Sequence, residues 1–358
     1  MIPFFSVLIP SYNRPEYIGE LINSFLNGKF KDFEIIISDD CSPKVDELKQ
    51  LIKVFELDHR VSFFTQENNI GEVGNKNFLV SKAKGQFNIL IGDDDKFIPN
   101  SLSILHKKII DNPNFDIYTF GYSTMNENSE SLFKYVSPKD IKINLEDFKI
   151  ASHVFCADML PLWIFHPSTF CCRAGLEKSI GYSYEVGMAE DMYFIFEVLL
   201  DNKTLFVISE EIFQWRKIIS KSKSDQLNQS SIYLNDIKAR LKIYQQILKK
   251  YSFNNHFDFF ISDEYVYRFL FKNIISDKTI VLSNLKSILF DDKELIETDV
   301  INKLVNLSKQ KSTYIRINKF LLLPKRIFIF FQIFGFMDTI RFLFGHFSNK
   351  KIFSLVKS

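Results

Sequence analysis

The stretch FNILIGDDDKFIP, residues 87–99, joins an apolar run to three consecutive aspartates. An uninterrupted apolar run of this length predicts a strand that is buried on both faces, over residues 87–92. Asp93, Asp94 and Asp95 then lie where that strand meets solvent, and their like charges repel one another. Two interpretations are open: a solvated turn, for which aspartate is well suited, or a site that holds a cation.

Further apolar runs alternate with amphipathic helical patterns through the first third of the chain. Near-continuous apolar strands separated by helices predict a mostly parallel α/β sheet. The expected strands are 5–10, 33–38, 61–66, 87–92 and 115–122, and the expected helices are 15–27, 45–56, 73–85 with Gly85 as its C-cap, 100–111 and 189–203.

Polar clusters follow the first four strands, and parallel strands end at the edge of a sheet where ligands bind. The clusters are SYNR at 11–14, DDCS at 39–42, ENN at 67–69 and the aspartates at 93–95. We therefore expect one site rather than four unrelated loops. Packed carboxylates at this edge favour Mg²⁺ or Mn²⁺, which prefer oxygen ligands and share them with substrate phosphates.

Two other acidic pairs admit two interpretations each. Asp39 and Asp40 suit an Asx-turn, or a carboxylate that accepts hydrogen bonds from a nucleobase or ribose. Glu190 and Asp191 suit the first turn of a helix, where the dipole stabilises carboxylates, or a general base at the mouth of an acidic site.

The bulk composition, with 46% apolar and 25% charged residues among 358, is that of a globular protein. The four cysteines form no C-x-x-C pair, so neither a disulfide framework nor a metal site is expected from them, which fits a reducing compartment. The N-terminal MIPFFSVLIP predicts a strand and not a signal peptide. No run reaches the ~18 apolar residues of a spanning helix.

The composition divides the chain into three predicted regions. Residues 1–222 carry the α/β pattern, and residues 223–315 are helical in pattern throughout. Residues 316–358 carry eight lysine and arginine residues against Asp338 alone, interleaved with Phe and Leu. This tail predicts an in-plane helix on an anionic membrane surface, the alternative being a helix docked on the α/β domain. An acidic body without an ordered stacking platform argues against a nucleic-acid partner.

Four segments occur in the order and spacing of one known family. SVLIPSYNRPEY, SDDCS, NILIGDDDKFIP and GMAEDMYF together resemble an inverting bacterial glycosyltransferase of family 2 over the first 200–220 residues. The resemblance implies the GT-A fold, a Rossmann-like domain that binds a nucleotide-sugar. The helical pattern of residues 223–315 predicts an α-helical C-terminal region after that domain.

The resemblance assigns the nucleotide-sugar contacts residue by residue. The matching positions are Pro10, Tyr12, Asn13, Arg14, Asp39, Asp40, Lys76, Asn77 and Asp93. It implies that Asp40 reads the base and that Asp93 contacts the ribose. Lys76 stands where an arginine is more usual, which keeps the charge but removes the bidentate fork.

The family's Asp-x-Asp-Asp motif has Gly92 in its first acidic place here. The resemblance implies Asp94, with Asp95, as ligands of Mg²⁺ or Mn²⁺, and Asp191, with Glu190 beside it, as the catalytic base. The implied reaction moves a hexose with inversion from a nucleotide-sugar, first of all a UDP-sugar, to a saccharide hydroxyl. A lipid-linked O-antigen or capsule intermediate is the implied acceptor, which places the enzyme on the inner face of the plasma membrane.

Three more residues have open roles. Trp163 and His166 precede an STF segment, and either shape the acceptor pocket or pack structurally. Arg216 lies in the basic stretch QWRKIISKSKS, which either closes over the diphosphate or forms a solvated loop.

Two other functions compete with glycosyl transfer. A nucleotidyltransferase would need a Gly-rich basic loop near the N-terminus, and IPSYNRPEY does not provide one. A non-catalytic scaffold that binds a sugar nucleotide would not need a base at Asp191.

Overall fold

The structure is a computed structural model, and it describes residues 2–137, 139–143, 166, 169–184, 190–201 and 203–217. The domain boundary predicted at 222, the helical region predicted at 223–315 and the basic tail predicted at 316–358 lie outside these residues.

The described residues form ten strands and six helices. The strands are β1 Phe5–Ser11, β2 Phe33–Asp39, β3 Val61–Thr65, β4 Phe87–Leu90, β5 Lys96–Phe97, β6 Ile117–Met125, β7 Ser131–Tyr135, β8 Ile141–Ile143, β9 Phe170–Arg173 and β10 Leu205–Arg216. The helices are α1 Pro15–Leu26, α2 Val45–Phe55, α3 Gly71–Lys82, α4 Ser101–Asp111, α5 Ala174–Ile180 and α6 Glu190–Leu200. All five strands and five helices expected from the sequence are present, with boundaries that differ by a few residues.

The strands join in one sheet with the order β3-β2-β1-β4-β9-β6-β10-β5, and β7 and β8 pair with β6 and β10. The pairs β1–β2, β2–β3, β1–β4 and β6–β10 are parallel. β9 lies antiparallel between β4 and β6, so β4, β6 and β10 run in the same direction. The prediction of a mostly parallel α/β sheet is confirmed, and the carboxyl ends of β1, β2, β4, β6 and β10 share one edge.

Burial explains why these segments form this sheet. β1, β2 and β4 are buried along almost their whole length, as strands covered by helices on both faces must be. α1 contributes Ile18, Leu21, Ile22 and Phe25 to the core at helical spacing, and Pro15 starts it with a preset backbone angle. Among the helices of the described residues, none has both the length and the apolar character needed to cross a bilayer.

The predicted C-cap role of Gly85 is wrong. α3 ends at Lys82, and the extended Ala83 follows it as C-cap. Gly85 instead lies against β1, where its N–H donates to Ser6 Oγ at 2.7 Å and a Cβ would meet Ser6 N at 2.6 Å. The glycine is needed for the close approach of two backbones rather than for ending a helix.

Candidate active site

The three aspartates after β4 form a tight turn, called the aspartate turn below (Asp93–Asp95), closed by a hydrogen bond from Asp95 N–H to Gly92 O at 3.2 Å. The turn packs against the end of β1, where Ser11 Oγ donates to Asp93 Oδ2 at 2.8 Å. A Cβ on Gly92 would lie 3.1 Å from Asp94 Oδ1 and 3.2 Å from Asp95 Oδ2. The glycine at the first place of the acidic motif therefore leaves room for two carboxylates to fold over it.

Arg14 neutralises part of this charge. Its guanidinium lies 3.0 Å from Asp93 Oδ1 and 2.6 Å from Asp94 Oδ2, and it bridges the two carboxylates. Asn13 positions the arginine, because its backbone is in the left-handed region (φ 59°) and its N–H donates to Ser42 Oγ at 2.8 Å. The side chain of Arg14 is 45% exposed, so the cation beside the aspartate turn remains open to solvent.

The aspartate turn still has an excess of negative charge. Burial raises the pKa of Asp93 to about 7, with Arg14 opposing this and Asp94 adding to it. Burial, with the charge of Asp94, raises the pKa of Asp95 well above its usual range. Both shifts indicate that another cation would be stabilised here.

Arg216 lies behind the turn and not over a diphosphate. Its backbone N–H donates to Asp95 Oδ1 at 2.9 Å, its Nε–H donates to Asp94 O at 2.7 Å, and its side chain has no exposed surface. This position corrects the expectation that Arg216 belongs to a loop that closes on the donor or is solvated. The residue ends β10, and the strand carries the guanidinium inward.

Asp39 and Asp40 both hold loop backbone in place. Asp39 accepts hydrogen bonds from the N–H and the Oγ of Ser42. Asp40 accepts from Ile70 N–H at 2.7 Å and Gly71 N–H at 2.9 Å, so it caps the start of α3. The turn interpretation therefore describes the local structure, and a nucleobase would have to share these oxygens.

A second acidic group, called the helix cluster below, comprises Lys76 on α3 with Glu190 and Asp191 at the start of α6. Lys76 Nζ lies 2.5 Å from Glu190 Oε1 and 2.7 Å from Glu72 Oε1. Burial disfavours a charged Lys76, but the charges of Glu72, Glu190 and Asp191 outweigh it and raise its pKa. Burial raises the pKa of Glu190, with Lys76 opposing and Asp191 adding. Lys76 is therefore a fixed countercharge for the predicted catalytic pair.

Asn77 holds a neighbouring segment rather than open space. Its Nδ2 donates to Tyr182 O at 2.9 Å, and its Oδ1 accepts from Tyr182 N–H at 2.9 Å. Tyr182 stacks on Phe194 of α6 at 5.3 Å between ring centroids, and its hydroxyl donates to buried Glu177 at 2.6 Å. The sequence does not predict this support of α6 by α3 and α5, because the residues in contact, Asn77 and Tyr182, lie 105 positions apart in the chain.

His166 packs among aromatic rings close to the helix cluster. Its ring centroid lies 4.7 Å from that of Trp215, 5.3 Å from Tyr122 and 5.8 Å from Phe213. Burial lowers the pKa of His166 to about 4, against the opposing charge of Asp191. The packing agrees with the structural interpretation of His166, and Trp163 lies outside the described residues.

The aspartate turn and the helix cluster are linked electrostatically through Glu72. Glu72 forms an ion pair with Lys76, and its charge also acts on Arg14. Pro10 and Tyr12, at the end of β1, lie on the chain that leads to Arg14, and Tyr12 is exposed. Because Asp40, just after β2, binds the start of α3, the helix cluster around Lys76 lies toward the same edge of the sheet as the aspartate turn.

The aspartate turn fits part of a divalent metal centre. Carboxylate oxygens are the ligands that Mg²⁺ and Mn²⁺ prefer, and the raised pKa values of Asp93 and Asp95 show a local need for positive charge. Within the part of the chain that the structure describes, no three Asp, Glu, His or Cys side chains converge as a complete metal site. A site of this kind leaves coordination positions for substrate phosphates, as is usual for Mg²⁺.

The comparison with protein families agrees with this geometry. Residues 6–160 match the model of glycosyl transferase family 2. This segment belongs to that family, so the resemblance seen in the sequence is confirmed.

Two similar proteins are named as glycosyltransferases. The chain is 34% identical over 156 residues to the GalNAc(5)-diNAcBac-PP-undecaprenol beta-1,3-glucosyltransferase of Campylobacter jejuni, which covers 42% of this chain and 48% of that enzyme. It is 25% identical over 283 residues to an uncharacterized glycosyltransferase of Methanocaldococcus jannaschii, which covers 78% of this chain and 90% of the relative. The chain therefore spans about half the length of the Campylobacter enzyme it matches.

The fold has a solved counterpart. The structure of Staphylococcus aureus TarS 1–349 in complex with UDP-GlcNAc matches with a TM-score of 0.53 and 20% identity, covering 85% of this chain and 88% of that one. The predicted GT-A fold is thereby confirmed.

Proposed function

We propose that this protein transfers a hexose from a nucleotide-sugar to a saccharide hydroxyl with inversion at the anomeric carbon. The observation that carries the proposal is the convergence of two acidic groups at one sheet edge. The aspartate turn is paired with a partly exposed arginine and has an excess of negative charge. The helix cluster holds a carboxylate pair beside a buried lysine. Two groups with such different environments suit two different tasks in one reaction.

The donor lies, in this proposal, with its diphosphate at the aspartate turn. Of the two arginines beside the aspartate turn, Arg14 reaches solvent and Arg216 does not. The Arg14 guanidinium suits phosphate oxygens as well as carboxylates. Asp40 and Asn13 mark the side of the nucleoside. TarS holds UDP-GlcNAc on the same fold, and a UDP-sugar is the donor we propose for this chain.

Asp94, with Asp95, holds Mg²⁺ or Mn²⁺ in this proposal. The cation supplies neutralising charge for the diphosphate when it is bound. Asp93 is the least suited of the three to a metal, because Ser11 Oγ and Arg14 already occupy both of its oxygens. Its contribution is to fix the turn and to face the ribose.

Asp191 is the proposed general base. It accepts the proton of the acceptor hydroxyl as that oxygen attacks the anomeric carbon from the side opposite the diphosphate. A single displacement of this kind inverts the anomeric configuration and needs no covalent enzyme intermediate. Glu190, buried and paired with Lys76, is proposed to set the charge beside Asp191.

The acceptor is proposed to be a lipid-linked saccharide in O-antigen or capsule synthesis. The Campylobacter relative acts on an undecaprenol-linked oligosaccharide, as its name states. The basic, Phe-rich residues 316–358 would hold the enzyme at the inner face of the plasma membrane. Deletion of these residues should release the protein from anionic vesicles, and co-sedimentation of the truncated protein would contradict the membrane role.

A panel of nucleotide-sugars tests the donor proposal directly. The full chain is mixed with UDP-glucose, UDP-galactose, UDP-N-acetylhexosamines and dTDP-rhamnose, each with and without Mn²⁺, and scored by thermal shift and by hydrolysis. We expect at least one UDP-sugar to stabilise the protein only when Mn²⁺ is present. A panel with no stabilisation and no hydrolysis would contradict the proposed function.

A further inference from the structure

Arg216 is the most completely engaged cation in the described part of the site. Its guanidinium accounts for five contacts: Nε–H to Asp94 O at 2.7 Å, Nη1 to Asn126 O at 3.2 Å, Glu127 O at 3.1 Å and Ser129 Oγ at 3.0 Å, and Nη2 to Glu20 Oε2 at 2.6 Å. Its Cζ also lies 4.4 Å from the ring centroid of Tyr17. One side chain thus ties the aspartate turn to α1 and to the β6–β7 turn.

Two of the hydrogen bonds that Arg216 donates reach the aspartate turn, one at Asp95 and one at Asp94. The backbone N–H binds Asp95 Oδ1, and the Nε–H binds the carbonyl of Asp94. These bonds fix the backbone that carries the Asp94 carboxylate without touching that carboxylate. Three adjacent aspartates repel one another, so such a turn needs an external restraint to keep one shape.

Glu20 holds the far end of the Arg216 guanidinium, away from the aspartate turn. Its Oε2 accepts from Arg216 Nη2 at 2.6 Å and from Ser129 Oγ at 2.9 Å, and its Oε1 pairs with Lys96 at 2.7 Å. The Arg216 guanidinium meets the aspartate turn at the carbonyl of Asp94 and pairs with the carboxylate of Glu20, so it leaves the Asp94 carboxylate to Arg14 and to a metal. A lysine could not replace it, since one ammonium cannot reach Asp94 O and Glu20 in the same planar geometry.

We propose that Arg216 and Glu20 form a positioning pair that holds the aspartate turn in its ligand-binding shape from behind, without contacting the donor. The proposal deepens the proposed function and depends on it for the ligand at the turn. It differs from general stabilisation, because a buried ion pair by itself is weak grounds for stability. Loss of the pair should therefore selectively weaken the binding of metal and diphosphate.

Arg173 offers a control with a similar set of contacts, on a side chain that is 44% exposed. Its guanidinium also binds a carboxylate and carbonyls, namely Asp116 Oδ1 at 3.0 Å, Pro113 O at 3.1 Å and Phe115 O at 3.3 Å. It stacks over a ring as well, at 4.9 Å from the centroid of Phe87. Because Arg173 pairs with Phe87 at the start of β4, it lies at the opposite end of the sheet from the site.

The experiment compares Arg216→Met, Arg216→Lys, Glu20→Gln and Arg173→Met in the full chain. Hydrogen exchange of the peptide that covers residues 92–97 is measured first, since this readout needs no ligand. Calorimetry then gives the affinity for UDP with Mn²⁺. We expect faster exchange at 92–97 and about 10–100-fold weaker binding in the Arg216 variants, a smaller loss in Glu20→Gln, and neither effect in Arg173→Met.

The outcomes separate a positioning role for Arg216 and Glu20 from a general contribution to stability. Unchanged exchange at 92–97 in Arg216→Lys and Glu20→Gln, or equal losses of affinity in the Arg216 and Arg173 variants, would overturn the positioning role. If Arg216→Met does not fold, Glu20→Gln and Arg216→Lys carry the test. If the unaltered protein does not bind UDP with Mn²⁺, the proposed function fails, while the exchange rates still decide whether the pair holds the turn.

Discussion

The aspartate turn and the helix cluster solve the same electrostatic problem with different cations. Both bury carboxylates at one edge of the sheet. The aspartate turn is paired with Arg14, which is 45% exposed, whereas the helix cluster is paired with Lys76, which is 5% exposed. In the proposed function the first countercharge gives way to a metal ion, whereas loss of the second would leave a buried carboxylate unpaired.

This difference supports the roles proposed for the two groups. A site that must admit and release a metal and a diphosphate needs a replaceable countercharge. A base needs a constant environment, because its proton affinity sets the rate of proton transfer. The comparison can be tested by removing one member of each group and by perturbing the residues around them.

The largest effect is expected at Asp191. Asp191→Asn removes the proposed base but keeps the size of the side chain, so sugar transfer should fall about 10²–10⁴-fold. Binding of UDP with Mn²⁺ should survive, because the aspartate turn is untouched. Steady-state transfer assays and calorimetry measure the two quantities.

Asp201→Asn is the control for this change, since Asp201 is exposed just beyond the end of the same helix. It should leave transfer unchanged. Equal loss of transfer and of donor binding in Asp191→Asn would remove the base assignment and place Asp191 in the donor site.

Lys76→Met should give the largest loss of stability. It leaves Glu190 buried without its countercharge, which costs about 3–5 kcal/mol when one partner of a buried pair is removed. Denaturant unfolding measures this loss. Adding Glu190→Gln to Lys76→Met should recover part of it, and the absence of any recovery would show that the two residues are not coupled.

Lys44→Met provides the matched surface pair, because Lys44 lies 2.8 Å from Glu16 with both side chains well exposed. No measurable change in stability is expected there. A loss similar to that of Lys76→Met would mean that burial of the helix cluster does not matter.

The same two groups show what the sequence could reveal. Strand ends and the polar clusters after them predicted the shared edge, because periodicity and turn chemistry are local properties. The partners of the charged residues were not predictable in this way. Lys76 was expected to face a nucleotide, but its ion pair with Glu190 joins positions 114 residues apart.

The close approach of two backbone segments at Gly85 was not predictable from the sequence either. Glycine is a common helix C-cap, so Gly85 was predicted to end a helix. The structure shows instead that the segment after α3 packs closely against β1 at this glycine. Arg216 was predicted in a basic loop, because charged stretches are usually solvated. Its burial depends on Tyr17 and Glu20 of α1 and on Ser129 between β6 and β7, two places that are distant from Arg216 in the chain.

His166 should make stability near the helix cluster sensitive to acid. Burial lowers its pKa from 6.5 to about 4, so the unfolded chain takes up a proton before the folded one does. The stability contributed by neutral His166 is complete above pH 6.5 and is lost as the pH falls toward 4. Relative to pH 7.5, the cost at pH 5 is roughly 1–2 kcal/mol.

His166→Gln should remove this part of the pH dependence, as measured by denaturant unfolding at pH 7.5 and pH 5. His59→Gln is the control, because the His59 side chain is 94% exposed. An unchanged difference between the two pH values in His166→Gln would show that His166 does not titrate as its burial indicates.

The smallest effect, and the sharpest test of the comparison, is expected at Arg14. Arg14→Ala removes a partly exposed guanidinium from buried Asp93, and Asp93 can take up a proton in its place because burial raises its pKa to about 7, so stability without metal should fall by only about 1 kcal/mol. If Arg14 and Mn²⁺ are alternative countercharges for Asp94, the gain in melting temperature on adding Mn²⁺ should be larger in Arg14→Ala than in the unaltered protein. Arg60→Ala breaks a similar pair, Arg60 to Asp58 at 2.6 Å, away from the site, and should leave the Mn²⁺ response unchanged. Equal Mn²⁺ responses in Arg14→Ala and the unaltered protein would show that the guanidinium and the metal do not exchange, and the aspartate turn would then resemble the helix cluster in having a fixed cation.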